Sequence, residues 1–464
     1  MQPNSSSSNR QRDLIPRSKR PLIPIAEDHP LVHVAETLDW DDLEQRAQQI
    51  RLAKLKNAAG RPPHLRALLG ALLLMALRRR PYRETEDLIR YYAPARYLCG
   101  LTETDWTPDF TTIQDFTELM GEEGIQLINQ YVVGLAVEKK LADPATVVAD
   151  TTAQEAAIPH PSEIGLMAGF LRSVEAASRK VGQALKGFVE ATAAQLTAAK
   201  QKAREYRLFA KSKERKDRVM KKLAGMVEKI NEQLGKGLKT ASAQWGTLRR
   251  GAIIAKAKLE QLHQTMGKLL PQIRYWIRTG AVAAGKIISL HIPELYSIVR
   301  GKVGKAVEFG LSWGITRLHG GYLLATLAKD RHELQDSKFA LKAVTDHIAL
   351  FGKPPHAFAY DRGGYSAQNV CCLKELGVSE VALAPRGRTK WPVNEKARKR
   401  LAKERAQVEA GIGTVKGPRY GFNRPAARSK AMMGACGQRA VLGFNTNKLV
   451  RELAERKEMA LASW

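Results

Sequence analysis

ATVVADTTAQEAAI, residues 145–158, is the stretch that decides the fold class. Thr146, Val147 and Val148 are β-branched, and such side chains pack well on a pleated strand but lose rotamer freedom in a helix. The run reads as a short strand ending at Asp150, the first strand signal in the chain. Everything on its amino-terminal side reads differently. Residues 60–101, GRPPHLRALLGALLLMALRRRPYRETEDLIRYYAPARYLCGL, carry apolar residues at spacings of three and four with proline-marked starts, which predicts helices. Residues 109–140, DFTTIQDFTELMGEEGIQLINQYVVGLAVEKK, continue that pattern, with Asp109 and Thr111 as helix caps. Residues 1–30 are rich in Ser, Asn, Arg and Pro, show no apolar period, and read as a disordered basic tail.

On the carboxyl side of the strand the composition changes again. From Glu163 to about Leu290 the chain is Ala, Lys, Gln, Leu and Glu, as in ATAAQLTAAKQKAREYRLFAKSKERKDRVMKKLAGMVEKINEQL at 191–234. These are strong helix formers and predict several long helices, a bundle inserted into the strand-bearing region. Its charges suit either a solvated spacer or a DNA-gripping surface. Strand signals return after Pro293. Residues 303–328, VGKAVEFGLSWGITRLHGGYLLATLA, read as two strands joined at His319-Gly320-Gly321. An amphipathic helix closed by Gly352 follows, then the strand HAFAYD (356–361), a helix, the strand VSEVALAP (378–385), a basic loop, and a helix holding Glu409. Strands alternating with helices argue for a mixed α/β sheet.

Composition narrows the partner. The chain has 464 residues, predicting two to three domains, with 75 Lys and Arg against 46 Asp and Glu, a formal net charge of +29. Such an excess answers a polyanion, and nucleic acid is the first candidate; a ribosome-associated or anionic-membrane protein would share it. Cys99, Cys371, Cys372 and Cys436 show no metal-ligand spacing, which favours a reduced cytoplasm. The polar, basic start has no apolar core of a secretory signal. The longest apolar run, Ala67 to Leu77, is too short to span a bilayer. No Gly-Lys-Ser/Thr loop opens a helix, so ATP use is not expected.

Asp150 and Asp361 each end a predicted strand, where loops of an open α/β sheet form a ligand crevice. Glu409, on the helix after the last strand, could face the same edge. Three such carboxylates suit phosphodiester chemistry, in which two hard cations roughly 4 Å apart are held by oxygen ligands. The plain alternative is a turn or cap for any one of them. Asp143 is such a turn residue; Asp330 competes with Asp361 but sits among surface residues, and Glu404 competes with Glu409. Trp391, in the basic stretch RGRTKWPVNEKARKR (386–400), suits stacking on an unpaired base or simple packing. Arg388 and Lys390 beside it suit phosphates. Lys302 and Lys305 suit DNA near the active site or protection of an edge strand. His160 reads as a turn residue.

At these residues the sequence resembles the DDE transposases of bacterial insertion sequences, over most of its length. LIRYYAPARYLCGL (88–101) and TPDFTTIQDF (107–116) look like the helical domain ahead of the catalytic core; VVADTTAQEAAIPHPSE (147–163) like the first-Asp block; YSIVRGKVGKAVEFGLSWGI (296–315) like the strand block after it; FAYDRGGYS (358–366) like the second-Asp block, with Arg362 beside Asp361. RAQVEAGIGTVK (405–416) resembles the third block of the branch with a Tyr-Arg-Glu-Lys signature, with Arg405, Glu409 and Lys416 in place. Glu404 has Gly411 where the Lys belongs, and the Tyr position holds Ala402, a departure touching an auxiliary contact. The long insertion resembles the elements grouped as ISNCY.

The resemblance implies a ribonuclease-H-like α/β catalytic core (142–164 and 293–464), interrupted by a helical insertion (165–292) and preceded by a helical DNA-binding or dimerisation domain (31–141). It implies a transposase that hydrolyses DNA at the element's ends and joins the exposed 3′-hydroxyls to target DNA. Asp150, Asp361 and Glu409 would hold two Mg²⁺ ions, with Mn²⁺ able to substitute. Arg405, Lys416 and Arg362 would contact DNA. The implied partners are the terminal inverted repeats, target DNA and a second copy of the chain, in the cytoplasm at the nucleoid. Rivals are a catalytically inactive or domesticated DNA-binding relative, a ribonuclease-H-like nuclease without strand transfer, and a helical scaffold with no metal dependence.

Overall fold

The computed structural model describes residues 25–55, 63–102, 105–241, 249–302, 305–385 and 390–462. Most of the basic tail expected at 1–30 lies outside the described residues, as does Arg388. The central strand, β1 (Asp143–Glu155), is the one that opened the sequence reading. It runs five residues past Asp150, longer than its β-branched start suggests. Two features extend it. β3 (Lys305–His319) pairs antiparallel along almost its full length, from Val147↔Leu318 to Glu155↔Gly310. The buried Gln154 also anchors its end, accepting from the Trp313 indole at 3.1 Å and donating to the Met433 carbonyl at 3.0 Å.

β2 (Tyr296–Lys302) and β4 (Leu323–Leu327) both pair with β3, β2 along its first half and β4 along its second. The β3–β4 hairpin was expected; the strand block expected at 296–315 divides into two strands, β2 and β3. Gly320 and Gly321 make the turn with φ +93° at both, a conformation closed to most L-residues. β5 (Ala357–Tyr360) and β6 (Glu380–Leu383) continue the sheet on the other side of β1, parallel to it and to each other. The order is β2-β3-β1-β5-β6, with β4 also on β3, a mixed sheet in a mixed α/β fold.

Helices cover both faces. On one lie α1 (Pro30–Thr37), α2 (Trp40–Lys54), α3 (Leu65–Arg78), α4 (Tyr82–Tyr91), α5 (Ala93–Leu98) and α6 (Phe110–Glu138). Asp109 caps α6, accepting from the Thr112 amide at 2.8 Å. Every residue of α3 from Ala67 to Leu77 is buried. One continuous core joins these helices to Val147, Ala149, Phe358 and Tyr360 of the sheet, so packing does not break at residue 141. The final helix, α14 (Lys430–Ala462), packs against α6 and α3, and its Gly443 lies so close to α3 that an added Cβ would stand 2.3 Å from the Ala76 carbonyl. α11 (Asp336–Phe351), closed by Gly352 in a left-handed conformation, and α12 (Ala367–Glu375) flank β5. The other sheet face, with Val148, Trp313, Ile315 and Ala359, is covered by α13 (Glu395–Lys416) through Leu401, Val408 and Val415.

Between β1 and β2 the chain forms a four-helix bundle with its own core: α7 (Glu163–Val181), α8 (Lys186–Leu208), α9 (Lys213–Thr240) and α10 (Arg250–Thr279). α7 packs on α8 and α10, and α9 packs on the same two, closing the ring. Residues 163–292 carry 26 Lys and Arg against nine Asp and Glu, a net +17 of the chain's +29. No described helix is long and apolar enough to cross a membrane.

Candidate active site

Parallel register brings two of the expected carboxylates side by side. Val148 on β1 pairs with Ala359 on β5. Asp150 and Asp361 each follow two residues later, where the β1–β5 pairing gives out. Asp150 is therefore in mid-strand, not at the strand end that the sequence suggested, but it stands at the end of the shared ladder. Side chains alternate along a strand, so Asp150 shares the face of Val148, the face that α13 covers. Asp361 caps the 3₁₀ turn Arg362–Gly364, its Oδ1 accepting from the Gly363 amide at 2.8 Å. Asp150 accepts from the Thr151 amide at 2.7 Å.

A fourth carboxylate, Asp336 in the first turn of α11, supports this pair from the opposite face. Thr151 Oγ1 donates to its Oδ1 at 2.7 Å and the Tyr360 hydroxyl at 3.2 Å. The loop after Asp361 passes so close that a Cβ on Gly363 would lie 2.3 Å from Asp336 Oδ2. Burial and then the charge of Asp336 push the Asp361 carboxyl above the usual aspartate range, against the Gly363 amide and Arg405, which pull it down. Burial also raises the Tyr360 phenol, and Asp336, Asp150 and Asp361 all add to that. Three acids thus gather around one hydroxyl. Sequence reading missed Asp336 because an acid at a helix start looks like a cap; only the packing of α11 on β1 reveals its neighbours.

Glu409 approaches from α13. It is exposed, and Arg405 one turn earlier lies 3.5 Å from its Oε1. Arg405 also lowers the Asp361 carboxyl through its charge, so the same guanidinium acts on both Asp361 and Glu409. A cavity of about 230 Å³ opens here, lined among others by Ala359, Tyr360, Trp391, Arg398, Arg405 and Glu409. The Arg398 guanidinium lies over the Trp391 ring at 5.7 Å. Among the described residues no three His, Cys, Asp or Glu side chains are arranged to hold a metal ion. The two aspartates offer adjacent hard oxygen donors, while the Glu409 carboxylate is turned to Arg405.

Glu404, the competitor of Glu409, has a different place. It is buried, with Arg317 donating to Oε2 and His319 Nδ1 lying 2.8 Å from Oε1. Burial raises its carboxyl, but the bonds from Arg317 and His319 outweigh that and leave it below the ordinary glutamate value. Both oxygens are committed to structure. Asp330 is likewise occupied, in a turn where it accepts from the His332 and Glu333 amides.

The other expected contacts are scattered. Arg362 is exposed beside Asp361, Lys390 is exposed next to Trp391, and Lys416 is half-buried at the end of α13. Lys302 and Lys305 pair at the far end of the β2–β3 hairpin. Ten residues of β3 separate Lys305 from Ile315, the partner of Asp150, roughly 33 Å at strand rise. They are not neighbours of the aspartates. His160 is exposed and packs its edge on Phe309, centroids 5.4 Å apart.

Residues 19–119 match the model of a family described as a transposase domain (DUF772). The matched segment includes α1 to α5 and the first third of α6. It supports a transposition-related function and, in general terms, a DNA-cleaving enzyme. No curated protein and no solved structure matches the chain.

Proposed function

We propose that the chain is a DDE transposase, with Asp150, Asp361 and Glu409 as its catalytic carboxylates. The observation that carries this reading is the β1–β5 register, which sets Asp150 and Asp361 side by side on the face that α13 covers, with Arg405 of α13 acting on both Asp361 and Glu409. The sheet, with antiparallel β4-β3-β1 extended by parallel β5 and β6, supports a ribonuclease-H-like core. The helical bundle inserted between its first two strands fits the branch suggested by the Arg405, Glu409 and Lys416 spacing.

Asp150, Asp361 and Glu409 would hold two Mg²⁺ ions, with Mn²⁺ able to replace them; when bound, such ions activate the attacking water or 3′-hydroxyl and stabilise the leaving oxygen. The electrostatics favour cation capture. Asp361 is held partly against ionisation by burial and by Asp336, a strain that a nearby cation relieves. Arg405 neutralises Glu409 in the free protein, and its guanidinium suits a backbone phosphate in the DNA complex. Arg362, beside Asp361, and Lys416, at the end of α13, are further phosphate contacts. Trp391 lines the cavity beside Glu409 and offers a ring on which an unstacked base can lie. An element has two ends, so two copies of the chain act together.

The test uses DNA flanking the gene as donor, with purified protein and Mg²⁺, comparing wild type with Asp361→Asn. The reading requires cuts at fixed ends and joined products from wild type alone. Cuts without joined products would make the protein a nuclease, and binding without cleavage by either protein would make it a DNA-binding relative.

A further inference from the structure

The tip between α8 and α9 combines bare charge with bare apolar surface. Leu208 and Phe209 close α8 with 56% and 59% of their surfaces exposed, at a position where large apolar residues are normally covered. Arg204, Arg207, Lys211, Lys213, Lys216 and Arg218 surround them, all exposed and none in an ion pair among the described residues. Over residues 200–222 there are 11 Lys and Arg against three Asp and Glu. A solubilising surface would mix signs along the helix faces.

The tip also sits at a telling end of the bundle. α7 begins eight residues after β1 ends. Its first residue, Glu163, acts on Tyr206 near the end of α8, as does Asp217 in the first turns of α9. The carboxyl end of α8 therefore returns to the level where α7 leaves the sheet. Lys286 pins the same end, donating to the Glu163 carboxylate and lying 3.4 Å from the Pro161 carbonyl. β1 hands over to α7 at this end, so the tip lies at the end of the bundle nearest the sheet.

We propose that the α8–α9 tip is a duplex-DNA clamp, whose cations take backbone phosphates while Leu208 and Phe209 press into a base step. The inference rests on the DNA-processing reading above. Apolar wedges that open a base step bend the duplex and bring more backbone against the protein, and the surrounding cations have the spread to follow it. A basic tip with two apolar side chains would also suit an anionic membrane surface. Duplex DNA is favoured because the whole bundle, not only the tip, carries the positive excess, a spread that suits an extended polyanion.

The experiment measures binding of full-length protein to a labelled 30-base-pair duplex by anisotropy over a salt series, in EDTA so that nothing is cut. In parallel it measures duplex bending by end-to-end energy transfer, and binding to vesicles of phosphatidylcholine with phosphatidylserine. One variant combines Arg204→Gln, Arg207→Gln, Lys211→Gln and Lys213→Gln; the other combines Leu208→Ser and Phe209→Ser. The charge variant is expected to bind roughly tenfold or more weakly and to lose up to about 3.6 from the slope of log K against log salt, since each of its four phosphate contacts contributes about 0.9. The wedge variant should keep that slope and lose the bend. All targeted side chains are exposed, so unchanged thermal midpoints show that the fold is intact. A wild-type salt slope in the charge variant, or vesicle binding that the variants lose while DNA binding stays, overturns the clamp. If Asp361→Asn and wild type both bind and bend DNA but neither ever cuts, the clamp stands and the transposase reading falls. If cleavage is intact while the tip variants bind and bend as wild type, only the clamp falls.

Discussion

The neighbouring glutamates of α13 make a sharp test, because one turn and a residue separate a structural acid from a catalytic candidate. In Glu404 the side chain is 11% exposed and Arg317 is 8% exposed. Both carboxylate oxygens are used, one by Arg317 and one by His319. Glu404→Gln keeps the shape and removes the charge, leaving Arg317 buried with only neutral partners, the new side-chain amide and Gln407. Removing one partner of a buried pair costs about 3 to 5 kcal/mol, and the remaining amide oxygens put the expected loss at about 3 kcal/mol. That lowers the thermal midpoint by several degrees in a chain of this size. The loss depends on pH with a definite sign. The Glu404 carboxyl lies lower in the folded state than in the unfolded chain. Its contribution is therefore complete above the ordinary glutamate value and disappears as pH falls through the folded value. Wild type and Glu404→Gln should converge in acid. Glu409→Gln is the counterpart: its side chain is 63% exposed and its one ion pair is weak, so its midpoint should match wild type while DNA cleavage is lost. Differential scanning calorimetry at pH 7 and pH 3.5, beside a cleavage assay on donor DNA, reads both. A stable but inactive Glu404→Gln, together with an active Glu409→Gln, would refute the assignment of roles.

Three further outcomes follow from the geometry. Asp361 is harder to ionise in the folded state, so its charge costs stability at neutral pH and the cost fades as pH falls; Asp361→Asn should be inactive yet melt above wild type at pH 7 in EDTA, with no gain at pH 3, and a lower midpoint at pH 7 contradicts this. Asp336→Asn removes the second cause of that raised value, so the acid limb of the pH–cleavage profile should move to lower pH; an unmoved limb means Asp336 does not act on Asp361. Gly443→Ala drives a methyl into the Ala76 carbonyl at 2.3 Å and should cost about 1 to 3 kcal/mol by overpacking, read as a lower denaturant midpoint with an unchanged slope.

The parts of the fold written in local chemistry were legible. β-branched residues announced β1, paired glycines announced the β3–β4 turn, and Gly352 marked the end of α11. The alternation of strand and helix after Pro293 gave the mixed sheet. What escaped was set by pairing between distant segments. β1 outruns its β-branched start because β3 accompanies it and Gln154 finds a buried indole. β2 carries strand-favouring Tyr296, Ile298 and Val299, but its division from β3, which pairs with it, was not read from the sequence. The site shows the same division. Asp361 at the end of a short apolar strand could be picked out, but its pairing with Asp150 is a matter of register. Asp336 and the Arg317–Glu404 pair each join residues scores of positions apart, and no local pattern encodes them.

The helix α3 has a temporal consequence. It is buried along its length, and part of its cover is α14, far along the chain. About 350 residues separate them, and at ribosomal speeds of about 5–20 residues per second that is roughly 20–70 s of synthesis. For that interval an eleven-residue apolar ridge waits without its lid, with α2, α4, α5 and α6 packed against it. A chain broken off before residue 430 never receives the lid, so truncated products should be recognised as misfolded and cleared.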